Sequence, residues 1–89
     1  MGKVNLYPKT PAPKIKNAAY PAKWTRGDQL KIARWLSTLT LAALRKRQTI
    51  NEVQMQRAYE QKNRAAVDTL YVMSNVLTAA VMIREFGEE

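Results

Sequence analysis

Ala66, Leu70, Met73, Leu77 and Ala80 recur at alternating steps of four and three, the spacing that lines side chains along one stripe of an α-helix and calls for a packing partner. Gly87 follows the block and is a natural stop. Upstream, Thr49-Ile50-Asn51-Glu52 has the T-x-x-E form of a capping box, in which hydroxyl and carboxylate each satisfy a free backbone N–H. Together these signals predict a helix over about 50–86.

A second apolar face precedes it. Ile32, Trp35, Leu36, Leu39 and Ala43, with Leu30, Ala33 and Leu44 at the edges, leave Lys31 and Arg34 outside. Thr25-Arg26-Gly27-Asp28 offers Thr25 or Asp28 as N-cap, with an acid near the positive end of the dipole. No charge occurs from Trp35 to Leu44, so Thr38 and Thr40 are expected inside a buried helix that Arg45, Lys46 and Arg47 close at its negative end. The prediction is a helix over about 28–47.

The two helices do not match in length. One straight helix from 50 to 86 would run about 55 Å against about 30 Å for its partner, leaving Leu70, Met73, Leu77 and Ala80 bare. Either the chain bends near 62–66, with Asn63 as the weak point, or the block is buried against a protein partner or a second copy of the chain. The expected fold is therefore all-α: a helical hairpin or small three-helix bundle over 28–89, preceded by an extended arm over 1–27.

The arm is read from its prolines. Pro8, Pro11, Pro13 and Pro21 all fall within it, and each fixes its own φ while pushing its predecessor toward extended geometry. Charge then changes the picture. The chain has 15 Lys and Arg against 7 Asp and Glu, a formal charge of +8, and the arm carries Lys3, Lys9, Lys14, Lys16, Lys23 and Arg26 with no acid at all. Such a concentration favours a polyanion. The expected polyanion-binding residues are Lys9, Lys14, Lys16, Lys23, Arg26, Arg45, Lys46 and Arg47, the target being nucleic acid or an acidic protein surface. Tyr20 and Trp24 are interleaved with these cations and are expected either to lie back on the helices or to fill an external groove. Gln54, Arg57, Gln61 and Arg64 form a stripe of base-reading side chain types, but a solvated face explains it more simply than a helix-turn-helix.

Candidate chemistry is sparse. The chain has neither Cys nor His, so the commonest general base, metal ligand and thiol nucleophile are all missing, and no two carboxylates share an apolar helical face. The expectation is a non-enzyme with no cofactor and no metal site. No run approaches the 18 or so apolar residues of a membrane span, and the start has no apolar signal-peptide core, so no membrane partner and a cytoplasmic setting are expected. The leading functional expectation is an accessory binding protein, its helices making protein contacts and its arm contacting nucleic acid. The rival is an adaptor, inhibitor or assembly subunit, of the kind viruses and mobile elements carry, that binds protein only.

Overall fold

The structure, a computed structural model, describes residues 5–87. Those residues form three α-helices: α1, Arg26–Leu36; α2, Leu41–Glu60; and α3, Arg64–Phe86. A 3₁₀ turn, Pro21–Lys23, precedes α1, and there is no strand among the described residues. Lys3, counted among the cations of the arm, lies outside the described residues.

The N-terminus of α1 forms as local chemistry dictates. The Asp28 N–H donates to Thr25 Oγ1 at 3.1 Å, and the Thr25 N–H donates to Asp28 Oδ2 at 3.1 Å, a reciprocal cap. Its far end departs from expectation. Instead of one helix over 28–47, the chain leaves the helix after Leu36 and begins another at Leu41. The Ser37 and Thr38 hydroxyls donate to the carbonyls of Arg34 and Trp35 at 2.6 and 2.8 Å. That back-bonding offers the backbone an alternative to continuing the helix. The Leu39 N–H donates to Leu36 O at 2.9 Å, tightening the exit, and Thr40 Oγ1 then caps α2 by accepting from the Ala43 N–H at 3.1 Å. Leu39 itself is buried in this connection.

Consequently Arg45, Lys46 and Arg47 do not end a helix, and Thr49 does not begin one; all four lie inside α2. The Thr49 hydroxyl donates to Arg45 O one turn back at 3.2 Å, so it is committed within the helix and caps nothing.

α2 ends at Glu60 through a backbone motif: the Lys62 N–H donates to Tyr59 O at 3.0 Å, the Asn63 N–H to Ala58 O at 2.9 Å, and Lys62 takes φ 56°. These are the paired bonds and left-handed residue of a Schellman ending, here built on Lys where Gly is usual. Asn63 serves both neighbours, since its Oδ1 accepts the Ala66 N–H at 3.1 Å and caps α3. The straight helix of about 55 Å is thus replaced by α2 of 20 residues and α3 of 23, about 30 and 35 Å long. α3 returns along α2: Asn51 Nδ2 donates to Leu70 O at 3.0 Å, and Arg45 pairs with Glu85 at 3.2 Å.

α3 is the helix on which the others pack, touching α2, α1 and the 3₁₀ turn. Ile32, Ala33 and Leu36 from α1, Leu39, and Ala43 and Leu44 from α2 meet Val76, Leu77, Ala80 and Val81 in one core. α3 is long and apolar enough, by length and composition, to cross a membrane; four of its residues, Val76, Leu77, Ala80 and Val81, are buried in the fold. Ile15 and Trp24 close the core from the N-terminal side.

Candidate functional site

The chain before α1 is tied to the helices by three side chains. Trp35 Nε1–H donates to Thr10 O at 2.9 Å, and the Arg47 guanidinium donates to Leu6 O at 2.7 Å. Arg47 also lies 4.9 Å from the centre of the Tyr7 ring, within cation–π range. Nearer α1, Trp24 Nε1–H donates to Asn17 O at 2.7 Å while its ring packs on the core. Both indole donors are therefore satisfied by carbonyls of this segment, which holds its backbone in a defined path.

On that path Lys9, Lys14, Lys16, Lys23 and Arg26 are all exposed. No acid occurs before Asp28, and the Asp28 carboxylate is occupied by the cap of α1. Lys23 Nζ sits 5.6 Å from the centre of the Tyr20 ring, so the segment presents an aromatic face beside a cation. The other three expected cations are separated by helix geometry. Consecutive residues on a helix point about 100° apart, and the consequence is three different roles: Arg45 pairs with Glu85, Lys46 is exposed, and Arg47 is half-buried beneath Leu6 and Tyr7. Arg45 to Arg47 therefore do not form one patch.

The residues expected to meet another chain are also divided. Leu77 and Ala80 are 1% and 0% exposed, enclosed by this chain's own α1 and α2, because the break at 61–63 removes the overhang that would have bared them. Leu70 and Met73 are half-buried and line a cleft of about 200 Å³ beside Leu6, Tyr7 and Ile50. Trp24 is half-buried on the core and Tyr20 is exposed.

The break rearranges the polar stripe as well. Gln54, Arg57 and Gln61 line one groove on the α2–α3 turn, whereas Arg64 falls on the opposite flank. That flank is a cleft of about 630 Å³ lined by Tyr59, Lys62, Arg64, Val67, Asp68 and Tyr71, a constellation that sequence reasoning missed. Tyr59 and Tyr71 stand twelve positions apart and line one cleft because α3 turns back at Lys62; the bend expected near 62–66, with Asn63 as its weak point, was the signal, since Asn63 caps α3 there.

Among the described residues no group of three or more His, Cys, Asp or Glu is placed to hold a metal ion, and every buried side-chain nitrogen or oxygen has a hydrogen-bond partner. The surface thus offers cations, exposed aromatic rings and shallow clefts. No protein-family model matches this chain, and neither comparison with curated proteins nor comparison with solved structures finds a match, so the geometry of these side chains is the whole ground for a functional reading.

Proposed function

We propose that the chain is a non-catalytic binding protein whose basic N-terminal segment grips nucleic acid, with the three helices acting as a small bundle on which that segment is laid. The observation that carries this reading is the set of five exposed cations, Lys9, Lys14, Lys16, Lys23 and Arg26, along a stretch without acids that Trp35, Arg47 and Trp24 hold in place. A cationic strip of fixed shape displaces counterions from a phosphate backbone while losing less conformational entropy than a free tail.

Titration with mixed-sequence nucleic acid at several salt concentrations tests the proposal. Affinity is expected to fall steeply with salt. Neutralising Lys9, Lys14, Lys16 and Lys23 to Gln is expected to weaken binding on all sequences alike and to flatten the logarithmic salt slope by about 3 to 4. Unchanged affinity in the quadruple variant overturns the assignment to this segment. Absence of binding at low salt overturns the nucleic-acid reading and leaves the protein-only adaptor.

A further inference from the structure

The chain has four tyrosines, and Tyr7, Tyr20, Tyr59 and Tyr71 are 68%, 63%, 57% and 58% exposed. Two stand with a cation, Arg47 over Tyr7 and Lys23 over Tyr20, and the other two, Tyr59 and Tyr71, line one cleft with Lys62 and Arg64. The tryptophans behave oppositely, being half-buried with their N–H groups engaged. Rings this exposed contribute little apolar burial to the fold. One exposed ring is ordinary on a protein surface, but two rings from different helices lining one cleft beside two cations make a surface with its own chemistry.

We infer that the cleft across the α2–α3 turn is a base-stacking site for single-stranded nucleic acid, with Tyr59 and Tyr71 as the stacking faces and Lys62 and Arg64 as phosphate contacts. This rests on the nucleic-acid reading above and specifies its form. At about 630 Å³ the open cleft has room for a nucleobase. Stacking needs a base whose face is free, which a duplex withholds and a single strand offers. Because every base has a π-face, stacking is tolerant of sequence, in keeping with a site that has aromatic rings and cations but few groups aimed at base edges. Asp68, the one acid in the cleft, lies 3.9 Å from Arg64 Nε, which offsets its repulsion of phosphate.

The test uses the full chain, a fluorescently labelled oligo(dT) of about 16 nucleotides and a duplex of the same length. Oligo(dT) is expected to bind more tightly than the duplex. Tyr59→Leu and Tyr71→Leu are each expected to weaken oligo(dT) binding about 5- to 150-fold, as loss of one stacked base predicts, with unchanged helical circular dichroism. Tyr59→Phe and Tyr71→Phe, which keep the ring, are expected to bind like the parent. Leucine variants with parental affinity, in a protein whose binding still collapses on neutralising Lys9, Lys14, Lys16 and Lys23, overturn the stacking site while leaving the N-terminal strip intact. Failure of the parent chain to bind either probe at low salt overturns both.

Discussion

The two breaks between helices are made in opposite ways. At Ser37–Thr40 the side chains do the work: two hydroxyls bond back to the preceding turn, a third caps the next helix, and Leu39 is buried between them. At Gln61–Asn63 the backbone does it, through two main-chain bonds and a left-handed Lys62, with exposed side chains throughout. The first break is anchored in the core and joins α1 to α2 where both meet α3. The second is a surface turn, and its flanks carry the tyrosines and cations of the candidate site. The two connections differ in what they rest on: the first turns on one buried residue, Leu39, between exposed threonines, and the second is exposed throughout.

That contrast can be broken most directly at Leu39. Truncation to Ala removes a buried side chain from the first break, and a loss of about 2–5 kcal/mol is expected in urea unfolding followed by circular dichroism. A loss below about 1 kcal/mol would mean that Leu39 does not anchor the connection. The two threonines sharpen the comparison further. Thr40→Ala removes a working cap and is expected to cost about 1 kcal/mol, whereas Thr49→Ala, inside α2, is expected to stay within about 0.5 kcal/mol of the parent or to stabilise it slightly. If Thr49→Ala costs as much as Thr40→Ala in the same measurement, a helix start at Thr49 is restored.

At the second break a small effect of reversed sign is expected. An L-residue in the left-handed region costs roughly 1–2 kcal/mol, and Gly removes that strain at an entropic penalty of about 0.5–1 kcal/mol. Lys62→Gly is therefore expected to stabilise the fold by about 0.5–1 kcal/mol, read as an increase in the urea midpoint. A decrease would show that the Lys62 side chain contributes to the turn beyond its backbone angle.

Local signals in the chain that satisfy themselves were legible. Thr25 and Asp28 form their cap from four adjacent residues, and Gly87 takes φ 78° at the end of α3, as expected of a stop. The helical class was equally legible, because an i, i+3, i+4 apolar stripe has no other way to face one side. The break after Leu36 was hidden by that same stripe. Ile32, Leu36, Leu39, Ala43 and Leu44 keep helical spacing across it, so periodicity is blind to the interruption.

Which hydroxyl cluster would break the helix was decided by tertiary packing. Ser37, Thr38 and Thr40 on one side and Thr49 on the other are similar local signals, and both regions could in principle end or start a helix. Only the first places Ile32, Ala33 and Leu36 on one flank and Ala43 and Leu44 on the other against Val76, Leu77, Ala80 and Val81. Moving the break there lengthens α2 to match α3 and scatters Arg45, Lys46 and Arg47 around a helix. The main-chain bonds at Lys62 turn α3 back and place Tyr59 and Tyr71 on one cleft. The sequence by itself determined the helical stripes, the caps at Thr25 and Gly87, and the concentration of charge in residues 1–27, since each rests on neighbours along the chain. The bend near Asn63 was among the sequence's alternatives and rests on local caps, whereas packing decided where the first break falls and which distant side chains share a cleft, because those depend on the free energy of burying one apolar face against another.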